Sequence, residues 1–563
     1  MHRRILASVF LVFIGGFACQ QPSQTTNNSA IAPAADATGK AAPPPLFEGM
    51  GHHARAITTD SPQAQAYFNQ GLTWAYAFNH DEAIRSFVEA ARLDPDCAMA
   101  WWGVALCNGP HINNPVMTPA QSKRAWDALQ KALALRDKAS YPESRLIDAL
   151  ARRYAENPPA DRRALDEAYA EAMKAVYEMD VNDADIATLY AESLMDLQPW
   201  DLWERGAPKG RTPEVLAALE QALKINPRHP GAAHLYIHAV EASPHPEKAN
   251  AAADVLRTLV PISGHLVHMP SHIDVQTGRW ALAADQNEAA IKADAAYRKL
   301  SPRQGFYAVY MAHNHHFLAF AAMMGGRSKV ALAAARDMVA GVPPDFLREQ
   351  PQFVDPYMMI VFDVLKRFGR WDDILREPAP SEKLPISRAM HHFARGLAYA
   401  AKGEIDRATS EQETFRASVR KIPSDALMAI NPAHKVLAVA DHMLAGEIAF
   451  RKGDIDEAVR QLHESIRVED TLLYMEPPEW IQPVRHTLGA VLMHAKRYSE
   501  AEQVYREDLA NWPENAWSLF GLAKALRAQG KSAEADQVER RFKAAWARAD
   551  VQIGSSCLCV PAH

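Results

Sequence analysis

Residues 67–95 read YFNQGLTWAYAFNHDEAIRSFVEAARLDP, and their spacing decides the fold. Tyr67, Gly71 and Trp74 fall three to four residues apart, as do Ala83, Phe87 and Ala90. That is the period of an amphipathic helix, twice over, with a turn between and Pro95 closing the unit. Small residues at Gly71 and Ala83 let two antiparallel helices approach closely. Tyr67, Trp74 and Phe87 then fill the gap between them. No strand pattern competes, because the apolar spacing stays at three to four rather than two along the chain.

The same register returns at an interval of about 34 residues. Gly396, Tyr399, Gly403 and Ala408 repeat it, as do Gly446, Gly453 and Ala458, then Gly489, Tyr498, Ala501, Tyr505 and Pro513. Gly278, Trp280, Ala283 and Ala290 keep it in the middle of the chain, and Gly521 to Phe542 form a last unit. These positions resemble the tetratricopeptide repeat (TPR) family. The resemblance implies an all-α superhelical solenoid of about ten helical hairpins between Asp60 and Asp550. It also implies a concave groove lined by the first helix of each hairpin, with a protein or peptide partner in it. The expected parts are N-terminal repeats over 60–197, histidine-rich repeats over 198–345, C-terminal repeats over 346–550 and a Cys-containing tail over 551–563. Three stretches break the period, 108–118, 198–212 and 471–483. Insertions of that length in a compact array are functional or disordered, and the tryptophans in the latter two argue for function.

The chain has 563 residues, 48% of them hydrophobic, and a formal charge of −6. No basic stripe stands out, so nucleic acid is not an expected partner. Arg3 and Arg4 precede an apolar run from Ile5 to Ala18, too short to span a bilayer and matching the core of a signal peptide over residues 1–18. The run ends GFAC and resembles a bacterial lipobox with Cys19 as the lipidated residue, although Gly16 stands where that motif has an aliphatic side chain. Gln20 after the cysteine implies, by family analogy, an outer-membrane anchor facing the periplasm. Residues 19–48 are poor in large apolar side chains and are expected to be a disordered tether.

Five cysteines make no disulfide framework. If one helix runs from Ala98 through Cys107, then Cys97 and Cys107 lie about 15 Å apart, beyond the reach of a bridge. They are expected as buried thiols. Cys557 and Cys559 read as a redox pair, as soft metal ligands, or as part of a frayed tail.

The chemistry gathers in the middle. HLYIHAVE carries His234, His238 and Glu241; GHLVHMPSH carries His265, His268 and His272; AHNHH carries His313 and His316. His234, His238 and Glu241 are i, i+4 and i+7, one helix face, and a histidine pair at i, i+4 presents two ligands to one ion. In the register of the family resemblance these side chains, with His486 further on, point into the groove. Pro270 is the exception to a continuous helix, which would start there if His265 and His268 lay in the preceding turn. The expected metal ligands are therefore His234, His238, Glu241, His265, His268, His272, His313, His316 and His486. Glu192 is expected to join from the preceding helix, Glu476 and Glu479 to close the site, and Trp200, Tyr236, Tyr474 and Trp480 to wall off solvent. Imidazole with carboxylate suits zinc, iron, copper or nickel, and the sequence does not choose. His52 and His53 carry no register information.

The whole pattern resembles exported bacterial TPR lipoproteins, a likeness that supports fold and address and supplies no reaction. The reading is an anchored binding or assembly protein with a transition-metal site. The alternative is a metal-dependent hydrolase or oxidoreductase, with Glu241 or Glu479 as base. The HExxH motif of zinc peptidases is absent, as are nucleophile elbows and phosphate loops.

Overall fold

The computed structural model describes residues 43–302 and 304–561. The expected signal peptide, Cys19 and most of the 19–48 segment lie outside the described residues. Within them the regular secondary structure is helical apart from two short antiparallel ladders and one isolated bridge. The ladders pair Trp203–Glu204 with Ala207–Pro208 and Leu427–Met428 with Asn431–Pro432. The bridge joins His111 and Asn114. No helix among the described residues is long and apolar enough to cross a membrane.

The opening hairpin shows how the sequence builds the repeat. Helix Pro62–Tyr76 starts on Ser61, whose hydroxyl accepts from the Ala64 N–H, and helix His80–Leu93 starts on Asn79, which accepts from the Glu82 N–H. The Phe87 ring then fixes the helix spacing. A Cβ added at Gly71 would fall 2.7 Å from that ring, and one at Gly103 in the next hairpin 2.6 Å from it. Tyr505 plays the same part between Gly489 and Gly521. An aromatic side chain on a second helix thus packs against glycines on two successive first helices.

The described chain groups into two compact units. One runs to Pro270 and includes Lys292–Tyr310; the other comprises Ser271–Ile291 and the chain from Met311 onward. The expected histidine-rich block 198–345 is therefore divided between them. The first unit holds hairpins such as Ala184–Met195 with Thr212–Ile225 and Pro230–Val240 with Asn250–Leu256. The second holds Pro385–Ala401 with Ile405–Val419, Ala433–Arg451 with Ile455–Glu469, and Val484–His494 with Tyr498–Asn511. At Pro270 both alternatives apply in part. Gly264–His268 is a short helix, and Pro270 opens the next one, Pro270–Gln276, because its ring offers no N–H to continue the first.

One end of the described chain corrects an expectation and the other selects among alternatives. The described part of the expected tether, 43–48, packs on the fold, since Phe47 is buried against Trp74 and Tyr297 at ring separations of 5.6 and 5.7 Å. The segment 43–60 is stitched to three hairpins. Gln70 donates to the Pro45 carbonyl and accepts from the Phe47 N–H, Arg55 pairs with Asp183 at 2.8 Å, and Glu143 accepts from the Thr58 N–H. At the other end the tail is not frayed. Cys557 and Cys559 form a buried disulfide, and Ser556 donates to the His486 carbonyl. Cys97 and Cys107 are buried free thiols, as their separation requires.

Candidate metal centre

In the first unit three histidines from two helices meet. His234 and His238 come from Pro230–Val240 and His265 from Gly264–His268, and all three are at most 4% exposed. The helix Pro230–Val240 places His234 and His238 one turn apart, and Tyr307 fixes His265 by accepting its backbone N–H at 3.1 Å. One nitrogen from each of the three rings lies within 4.8 Å of the other two.

The hydrogen bonds set the tautomers. His234 Nδ1 lies 2.7 Å from the Tyr76 carbonyl oxygen, which can only accept, so Nδ1 carries the proton. His238 Nδ1 lies 3.0 Å from Glu241 Oε1 and donates to that carboxylate. In the neutral form of each ring the lone pair is therefore on Nε2. His265 Nε2 approaches His234 Nε2 to 3.1 Å. Either His265 donates a proton to His234 or the two nitrogens ligate one ion. Nitrogens about 2.0–2.1 Å from a tetrahedral zinc stand about 3.3 Å apart, close to the separation found here. The carbonyl behind His234 and the carboxylate behind His238 are the kind of partner by which proteins orient histidine ligands. The donor set thus fits a transition metal, with His234, His238 and His265 as ligands and Glu241 as the orienting carboxylate.

Aromatic rings enclose the three. Phe78 adopts a left-handed φ of 55° in the turn between the first two helices, and its ring lies 4.5 Å from His234 and 5.9 Å from His265. Trp200 stands edge-on to His238 at 5.0 Å and Tyr310 lies 4.3 Å from His265. His80 and His111, which the repeat register did not single out, pack against each other at 4.4 Å beside Phe78. Burial pulls His80 down to about 4 and His111 well below the ordinary imidazole range, the latter helped by His80, Arg153 and His234. Both rings stay neutral near pH 7.

The remaining expected residues divide. His268 is fully buried with its ring stacked 6.0 Å from His265. In the second unit His272 Nδ1 lies 3.1 Å from Glu476 Oε2, and its ring packs 5.8 Å from His313. Gln276 and Tyr474 both donate to Glu476 Oε1. His316 stands edge-on to Tyr357, and burial lowers it to about 4.

Four assignments need correction. His486 is not placed to ligate an ion, because Nε2 donates to Asp508 at 2.8 Å and Nδ1 accepts from Arg367 at 3.1 Å. Glu192 is not within 4.8 Å of the three-histidine group; burial raises it to about 7 against the pull of Arg153. The Tyr236 hydroxyl donates to Glu220, which turns it away from His234 and His238. Trp480 is a core side chain, packed on Phe393 with Lys366 over its ring.

A second cluster in the first unit looks like a ligand set but is a hydrogen-bond hub. Asp185 Oδ1 accepts from His53 at 3.1 Å, His229 at 3.0 Å and Tyr76 at 2.6 Å. The Ala232 N–H donates to His229 Nδ1, so the His229 proton is on Nε2 and that nitrogen is a donor. Burial pushes the Asp185 carboxyl up, but the bonds and charges of His229 and His53 together outweigh it and hold it well below the carboxylate range. An ion would have to displace donors that already satisfy the carboxylate.

The family model described as tetratricopeptide repeat matches residues 64–97. The chain carries a tetratricopeptide repeat. TPRs suggest protein–protein interaction or assembly, and no curated protein matches this sequence. Among solved structures, the human IFIT1 dimer with m7Gppp-AAAA is 14% identical over 87% of this chain and 91% of that one, with a TM-score of 0.31. The APC/C hetero-tetramer Cut9-Hcn1 is 14% identical over 86% of this chain and 76% of that one, with a TM-score of 0.29.

Proposed function

We propose that this is a TPR interaction protein that holds a transition-metal ion on His234, His238 and His265, as part of how it binds or assembles with a protein partner. One observation carries the reading: His234 and His238 donate Nδ1–H to the Tyr76 carbonyl and Glu241, which puts the lone pair of each neutral ring on Nε2. Imidazoles that only packed as core would not need this common polarity. Zinc, copper, nickel and iron all suit three imidazoles.

Elemental analysis of protein purified without chelator is expected to find about one ion per chain, and the double variant His234→Ala with His265→Ala to lose it. Wild type without metal would overturn the proposal and leave a proton shared between His234 and His265. Three nitrogens, rather than the four of a closed structural site, also keep an enzyme in view, since an open position can bind and activate water. Glu241 is not the base in that reading, because it is engaged by His238. Metal-dependent hydrolysis of activated esters, abolished by His238→Ala, would establish it.

Export and anchoring at Cys19 complete the proposal, resting on the charged and apolar leader and the GFAC sequence. Replacing Cys19 by Ser is expected to move the protein from the membrane to the soluble exported fraction. Retention in the membrane would reject the anchor.

A further inference from the structure

The second unit contains a cleft whose polar groups are nearly all carboxyl and imidazole. It lies between the turn Met475–Glu479, the turn Pro356–Ile360, residues Met428 and Ala429, and the His313 and His316 face of its helix, with an enclosed and solvent-open space of about 510 Å³. Glu476, Glu479 and Asp363 line it, and no lysine or arginine does.

Two of these carboxylates are committed. Asp363 pairs with Lys366 at 2.8 Å, and Glu476 accepts from Gln276 and Tyr474 and lies 3.1 Å from His272. Glu479 differs. Its Oε2 accepts from Asn431 Nδ2 at 2.9 Å, while its Oε1 is buried and has no hydrogen-bond partner among the described residues. A buried acceptor left in that state costs free energy until a donor reaches it. The walls beside it are apolar and adaptable: Met428, Met475, Ile360, Ile481 and the Tyr357 ring.

We propose that this cleft receives the side chain of a lysine from a partner protein, with the ammonium on Glu479 and the methylene stem along the methionine wall. A single oxygen suits a point charge, whereas a guanidinium favours two parallel bonds to one carboxylate, and Asn431 already holds the second oxygen. Long charged side chains bury their stems on apolar surface in this way. Burial pushes Glu479 up to about 8, outweighing its own backbone N–H and the Asn431 donor, and the other groups facing the cleft include neutral His316 and Tyr357. The carboxyl is therefore largely protonated near neutrality, and a bound ammonium would displace that proton. The proposal is independent of the ion on His234, His238 and His265.

Calorimetric titration of the whole chain with Nα-acetyl-lysine amide, and with the arginine and norleucine amides, tests it. The lysine derivative is expected to bind at least about tenfold tighter than either analogue, with proton release seen by comparing two buffers. Glu479→Gln, which mimics the protonated carboxyl in shape, is expected to lose about tenfold in lysine affinity at an unchanged melting temperature. Equal affinity for norleucine would reduce the cleft to an apolar hollow, and preference for arginine would mean a bidentate site. Those outcomes, absence of binding, or an indifferent Glu479→Gln, would each overturn the assignment.

Discussion

In the first unit His234 donates Nδ1–H to a carbonyl and turns Nε2 toward another imidazole. In the second unit His486 gives Nε2–H to Asp508 and accepts from Arg367 at Nδ1. Both rings are fully buried on helices of the same repeated kind. Burial and residue type therefore do not separate a ligand from a structural histidine. The partner of the second nitrogen does. In the His486 hub, Asp508 Oδ2 also accepts from Asn515 and Ser518, so both His486 nitrogens and the carboxylate oxygen they meet are already engaged. Burial raises the Asp508 carboxyl, but His486 and these donors together hold it below its ordinary range.

The largest effect that could break this contrast is on stability. Asp508→Ala strips His486, Asn515 and Ser518 of a common acceptor and leaves Arg367 buried, and is expected to cost about 3–5 kcal/mol in urea unfolding of the metal-free protein. A loss below about 1 kcal/mol would mean the hub is not structural. Next in size, His238→Ala is expected to weaken metal binding more than about 100-fold, read by competition with a chelating dye, whereas His486→Ala leaves it unchanged. Equal losses from both would erase the distinction. Glu241→Gln comes third, with a loss of about 10–100-fold, because Gln no longer offers His238 a charged acceptor. The smallest effect is the pH slope. Burial lowers His391 and His316 to about 4, whereas unfolded histidine titrates near about 6.5. Between those values the unfolded chain binds protons that the folded chain does not. Stability therefore falls as pH drops from 6.5 toward 4. His391→Phe is expected to flatten that slope in unfolding midpoints, and an unchanged slope would assign it elsewhere.

The repeat was legible because its glycines and aromatics are read locally, three or four residues at a time. Gly71 and Phe87 announce a close helix approach without any knowledge of the rest of the chain. The i, i+4 spacing of His234 and His238 was legible for the same reason. Their selection among nine expected ligands was not, because it depends on the Tyr76 carbonyl, some 158 residues away, and on Phe78 in an irregular turn. His80 and His111 sit at a helix start and in a period-breaking loop, where no periodicity points; the loop 108–118 itself was the only signal. His53 precedes the repeats and so carries no register signal, yet the segment that holds it folds back onto Asp185. His486 had the right register and the wrong neighbours, since Asp508 and Arg367 come from other helices. Trp480 shows the limit of composition, for an aromatic in an insertion serves the core as readily as a lid.

Phe87, carried by the first hairpin, packs between Gly71 of that hairpin and Gly103 of the next, so peeling the first hairpin away pulls the ring off Gly103 and bares that face of the second. Tyr505 imposes the same condition on Gly489 and Gly521. Fraying at one hairpin therefore weakens its neighbour, and such pairs melt like a zipper with nearest-neighbour cooperativity rather than as independent beads on a string.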